Sequence, residues 1–169
     1  MPLAKSDAVR IEITPGLTSA ERVQTFLDIG QITDYNGFDR DMIKNDLKLI
    51  SAVPGEVVFE LTVQAAHTNL LGVMHGGCVA TVFDICTGIA LIPIAREGFW
   101  QNLGLTRSLN VTYFRPSPEG ATVVITSTVV MAGKNLATIR GVITDKADGK
   151  VCSTAEHLKF NDNAVGSKL

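Results

Sequence analysis

The sequence predicts an α+β fold in which a curved antiparallel sheet wraps a single long helix. Three observations carry this. Six segments read as strands, and the last four are joined by short turns, which force antiparallel pairing. One segment, from about His75 to Ala95, is apolar almost all round and so must be enclosed. The chain of 169 residues is long enough for one domain with a real core, and it shows no internal repeat, low-complexity tract or second domain.

The elements follow in order. Residues up to about Gly16 read as an extended arm punctuated by Pro15-Gly16. Thr18-Ser19-Ala20-Glu21 has capping-box spacing, and a short helix is expected from Ala20 to Ile29, with a further helical turn over Asp41–Asn45. These belong to an N-terminal extension, residues 1–46. The main domain is expected over 47–160, and a polar tail over 161–169 that frays from Asn161.

Leu47–Ala52 reads as the first strand, and Pro54-Gly55 as its turn. Val57, Phe59, Leu61 and Val63 then alternate with more polar neighbours, the period-two pattern of a strand with one apolar face. His67–Met74 reads as loop. Four strands close the chain: Leu105–Phe114, Thr122–Met131 (Val123, Ile125, Val129 and Met131 on one face), Leu136–Asp145 (Ala137, Ile139 and Ile143 on one face) and Val151–Phe160. Asp148-Gly149 marks the last hairpin.

The central helix carries two stripes. Val79, Val82, Phe83, Cys86 and Ile89 are bulky and suit the inside of the sheet. Gly77, Ala80, Thr81, Asp84, Thr87 and Gly88 are small, with a lone carboxylate among them, and suit a second subunit, a thin channel or close packing alone. Just before the helix lies Asn69-Leu70-Leu71-Gly72-Val73-Met74-His75-Gly76-Gly77. A helix start leaves backbone N–H groups unpartnered, its dipole favours negative charge, and glycine lets another atom approach closely. Such a place can hold a carbonyl oxygen that becomes negative during a reaction.

A net charge of −2 and an isoelectric point near 5.9 argue against a nucleic-acid surface. The three cysteines show neither metal spacing nor a disulfide framework, which suggests a reducing compartment, cytoplasmic or mitochondrial, and no metal. The apolar run from Val79 to Ile94 is broken by Asp84 and Pro93 and is short for a membrane span.

The run His67-Thr68-Asn69-x-Leu71-Gly72-x-x-His75-Gly76-Gly77-x-x-Ala80-Thr81-x-x-Asp84 resembles that of the hotdog-fold acyl-CoA thioesterases, in particular the phenylacetate-type and superfamily-member-2 group. Asn110-Val111-Thr112-Tyr113, the Gly133-Lys134 turn and Leu136-Ala137 are similar too, so that the resemblance covers about Leu47 to Phe160. It implies a hotdog fold, homodimers with a continuous sheet that usually pair again into tetramers, and active sites at the dimer interface. It also implies hydrolysis of acyl-CoA to a carboxylic acid and CoA without metal or cofactor.

The resemblance assigns roles as follows. Asn69 and the Gly76 N–H would bind the thioester carbonyl oxygen, although an Asn here is also an ordinary turn or cap residue. His75 would orient Asn69 or touch the thioester region, Gly77 would lie against the substrate, and His157 would hold the His75–Asn69 network. Asp84 would be general base or nucleophile; its bland alternative is a pairing with Thr81, Thr87 or Asn110. Thr106 would position the water, with Ser108 as the alternative, both being expected on one face of the strand. Lys134, Arg107, Arg115 and Lys159 are candidates for the CoA phosphates. A non-catalytic acyl-CoA-binding regulator is the competing reading. A hydratase is disfavoured because no Asp-x-Asn-x-x-His run occurs.

Overall fold

The computed structural model describes residues 13–32 and 37–161, with residues 29–32 described by their backbone alone. Most of the expected extended arm, and the tail beyond 161, lie outside the described residues. The order is α1 (Ser19–Ile32), a π-helical turn (Met42–Asp46), β1 (Lys48–Val53), β2 (Glu56–Thr62), a 3₁₀ turn (Ala65–His67), α2 (Gly76–Ile89), a 3₁₀ turn (Ile92–Ile94), β3 (Leu105–Tyr113), β4 (Thr122–Ala132), β5 (Leu136–Asp145) and β6 (Val151–Phe160).

The six strands form one antiparallel sheet in the order β1-β2-β4-β5-β6-β3. The tight turns set the neighbours. Gly55 adopts φ +86° between β1 and β2, and Gly149 adopts φ +69° between β5 and β6. Two connections break the sequence of neighbours: the α2 crossover carries the chain from β2 to the far edge, where β3 pairs β6 alone among the described strands, and the β3–β4 link returns it to lie beside β2.

The bulky stripe of α2 is buried as its spacing predicts: Val79, Val82, Phe83, Cys86 and Ile89 face the sheet. Val57, Phe59, Leu61, Val123, Ile125, Ala137, Ile139 and Ile143 meet them. Gly141 on β5 is small because the helix lies directly on it. A Cβ there would sit 2.5 Å from the Phe83 ring and 3.2 Å from Thr87 Cγ2. The small stripe does not stay on one surface: Gly77 is exposed, whereas Thr87 and Gly88 are buried against the sheet.

Several expectations are corrected. The helix stops at Ile89 rather than near Ala95, since Pro93 lacks an N–H and disfavours helical backbone at the residue before it. Met131 does not share the face of Val129, because the register shifts between them and leaves Met131 half exposed. Asn161 is not frayed: it is buried, and its backbone N–H and side-chain amide donate to Asn135 O and Lys134 O.

The α1 capping box forms as read. Thr18 N and Thr18 Oγ1 both donate to Glu21 Oε2, each at 2.7 Å, and hold the exposed Glu21 carboxyl below its usual range, while Glu21 N donates back to Thr18 Oγ1 at 3.2 Å. α1 buries Val23 and Leu27, and the Arg22 guanidinium donates to Pro93 O and Ala95 O, tying the extension to the chain leaving α2. Gly76–Ile94 is apolar and long enough for a span by composition, yet 61% of it is buried inside the protein, as a core helix should be.

Candidate active site

The start of α2 is built from local contacts. Asn69 Oδ1 accepts from Leu71 N at 2.9 Å, and Gly72, at φ +71°, donates back to Asn69 O, so the turn uses the oxygen of the Asn69 amide and not its NH₂. The loop is stitched to the rest by Met74 N to Ser117 O and by His75 N to His67 O. Below it, buried His67 accepts from Gln64 N through Nδ1 and meets Asp46 Oδ2 through Nε2, each at 3.0 Å.

His75 is the N-cap of α2: its Nδ1 accepts from Gly77 N at 2.8 Å. This takes up the Gly77 N–H, so Gly77 has no donor left for a substrate, and a Cβ on Gly77 would crowd the His75 ring at 3.1 Å. The Gly76 N–H remains at the tip. Gly76 O accepts from Tyr113 Oη at 2.9 Å, which fixes the tip against β3.

The second group lies two turns along the helix and is built from long-range contacts. Thr106 Oγ1 donates to Asp84 Oδ1 at 2.7 Å. His157 Nε2 lies 3.0 Å from Thr106 Oγ1 and 3.4 Å from Asp84 Oδ1, and its Nδ1 lies 2.6 Å from Thr87 Oγ1. Lys159 Nζ lies 3.5 Å from Thr106 Oγ1. His157 is fully buried and Lys159 is 5% exposed, whereas the Asp84 side chain is 47% exposed. Burial, then the Lys159 charge, push His157 down to about 4, against an opposing pull from Asp84.

A bulge decides which hydroxyl reaches Asp84. Thr106 pairs with Lys159, but Ser108 pairs with Leu158, so Arg107 is the extra residue. Thr106, Leu109 and Val111 therefore share the face of Lys159, His157 and Ala155, while Ser108 and Asn110 lie on the opposite face. Thr106 and Ser108 do not share a face, as the unbroken strand would have required, and Asn110 is not the partner of Asp84.

His157 does not support Asn69 and His75, since its partners are Thr106, Thr87 and Asp84. Lys159 is buried behind Thr106. Arg107 and Lys134 are exposed on the bulge and on the β4–β5 turn, and no contact brings either side chain to the Asp84 group. Thr87, Tyr113 and the Asp46–His67 pair also hold the group in place, a role that spacing alone does not assign to them. One signal was there to read: Ser153, His157 and Lys159 share the inward phase of β6 with Ala155, and polar side chains on a buried phase need partners.

The sheet wrapped on one helix, with the Gly76 N–H at the helix tip and a carboxylate further along, is the hotdog architecture of thioester-cleaving enzymes. The model of the thioesterase superfamily matches residues 71–152. Acyl-coenzyme A thioesterase 13 of Homo sapiens is 36% identical over 135 residues, covering 80% of this chain and 92% of the human one. The crystal structure of zebra fish thioesterase superfamily member 2 superposes with a TM-score of 0.74 at 33% identity, covering 85% of this chain and 98% of that one. The Mus musculus member 2 structure gives 0.71 at 28% identity, with the same coverage. The chain belongs to the thioesterase superfamily and is a thioester hydrolase.

Proposed function

We propose that the chain hydrolyses acyl-CoA thioesters at sites shared by two copies. The Gly76 N–H and the Asn69 amide NH₂ of one copy hold the thioester carbonyl oxygen. Asp84 of the other, set by Thr106, takes a proton from water as the water oxygen bonds to the carbonyl carbon. The C–S bond then breaks, the acid remains, and the CoA thiolate leaves and is protonated. Asp84 Oδ1 is engaged by Thr106, so Oδ2 faces the water.

One observation carries the shared site. Gly76 and Asp84 stand on the same helix eight residues apart, about 12 Å at 1.5 Å per residue. A base and an oxyanion donor must both lie near ~3 Å from groups on a single carbon, so the two ends of one helix do not serve one thioester. The edge of β3, with all nine residues exposed or half exposed, supports pairing with a second copy into a continuous sheet. A dimer of such dimers follows the resemblance, and a cytoplasmic or mitochondrial location follows the unpaired cysteines.

The test is subunit mixing under a thiol-release assay with acyl-CoA esters. Asp84→Asn and Gly76→Ala should each be nearly inactive alone. Co-refolded, they should recover about a quarter of native turnover, because half the dimers are mixed and each mixed dimer holds one intact site. No recovery would sink the shared site, and no thiol release from the native protein would favour the non-catalytic binder.

A further inference from the structure

We infer that Tyr113 is a positioning residue: its hydroxyl and the His75 ring clamp the Gly76–Gly77 peptide group from its two sides and so aim the Gly76 N–H. The inference rests on the helix-start reading above and specifies how that start is held still.

Both bonds have a forced direction. Gly76 O has no proton, so the 2.9 Å contact uses the Tyr113 hydroxyl proton. Gly77 N–H only donates, so His75 Nδ1 accepts it through a lone pair, at 2.8 Å. The carbonyl of Gly76 and the N–H of Gly77 are the two ends of one peptide group. A carbonyl accepts twice, so Tyr113 adds to the first helical turn without displacing it. Bonds at the two ends of a peptide group polarise and strengthen each other. The preceding peptide is held at its carbonyl, where His75 O accepts from Val79 N at 3.0 Å, and it presents the Gly76 N–H. A helix that opens on two glycines gets little stiffness from its own residues. An oxyanion donor works by being aimed before the charge forms, so the clamp supplies what the glycines lack.

The register of β3 brings the phenol there. Tyr113 shares a face with Leu109 and Val111, and with Thr106 beyond the bulge at Arg107. At one end of this face Thr106 Oγ1 donates to Asp84, and at the other Tyr113 Oη donates to Gly76. One strand thus touches α2 at both functional points. Its end is anchored, since Tyr113 pairs Ser153, and Phe114 N and Arg115 N both donate to Cys152 O, at 2.8 and 3.0 Å. The ring lies over Gly76, 3.6 Å from where a Cβ would stand. The alternative role for a half-exposed ring beside the carbonyl site is a wall against substrate, and kinetics separate the two.

The experiment removes the donor and keeps the ring. Tyr113 is more than half exposed, so Tyr113→Phe leaves the core untouched. It should lower kcat about tenfold with KM within about twofold, at native melting temperature and assembly. 4-Aminophenylalanine at position 113, which puts an N–H donor where the hydroxyl stood, should recover most of that turnover. In ¹⁵N–¹H spectra of the resting protein the Gly77 signal should move in Tyr113→Phe, because its own peptide carbonyl has lost a donor, and return in the amino form. The Gly149 signal, from the β5–β6 turn, should stay in both. A raised KM at native kcat would make the ring a substrate wall, and native kcat with a lowered melting temperature would make the bond structural. Either would overturn the inference, as would an unmoved Gly77 signal. If Gly76→Ala kept full turnover, the helix-start reading would fail even where the Gly77 signal moved, so the two failures are told apart.

Discussion

The two ends of the working face of α2 are made differently. The helix start is fixed by neighbours in sequence: Asn69 to Leu71, Gly72 to Asn69, and His75 to Gly77. The Asp84 group is fixed by residues far away in sequence, Thr106 on β3 and His157 and Lys159 on β6. The start offers backbone donors on an exposed turn. The middle offers one half-exposed carboxylate backed by a buried polar network. A local turn keeps its geometry wherever the chain forms it, whereas the network exists only when three elements are in register.

The largest expected effect tests the network end. Asp84→Asn should lower kcat by about 10³ with the assembly unchanged by size exclusion, and near-native turnover would move the base elsewhere. Gly76→Ala tests the local end. The atoms nearest a Cβ there are those of the Tyr113 side chain, at an ordinary 3.6 Å, so folding should be spared while kcat falls about 10². A large drop in melting temperature instead would mark Gly76 as structural.

The bulge gives a sharper contrast. Thr106→Val should lower kcat roughly tenfold, one lost hydrogen bond, while Ser108→Ala should change it less than about twofold. Equal effects would contradict the register at Arg107.

Acid distinguishes the two ends by stability. Folded His157 titrates near 4 against an ordinary 6.5, so below 6.5 the unfolded chain takes up a proton that the folded chain does not. The contribution is full above pH 6.5 and is lost as pH falls toward 4, by at most about 3 kcal/mol. Denaturant midpoints should show this slope, and His157→Gln should flatten it. The smallest effect is expected beneath the helix start, where Asp46→Asn should cost about 1 kcal/mol of stability by loosening His67.

The same contrast explains what could be read beforehand. The strands, their turns, the bulky stripe and the Asn69–Gly77 turn depend on period and local chemistry, and the sequence displays both. Asp84 was visible because a lone acid in an apolar helix stands out. Thr106 was visible through resemblance alone, since its face depends on a one-residue bulge that no alternation reveals. Thr87 looked like one small residue among several, because its importance comes from His157, seventy positions away. The early end of the helix is the exception: Pro93 is legible in the sequence, but its effect reaches back several residues to end α2 at Ile89.

The bare edge of β3 has a consequence for handling the chain. A solitary copy shows Leu105 and Tyr113, both more than half exposed, along a row of unsatisfied amides and carbonyls. The second copy proposed above would cover that row, and left uncovered it is a template for any extended chain. Dilution of the folded protein should accordingly favour slow aggregation through this edge, with shelf life governed by how quickly like meets like.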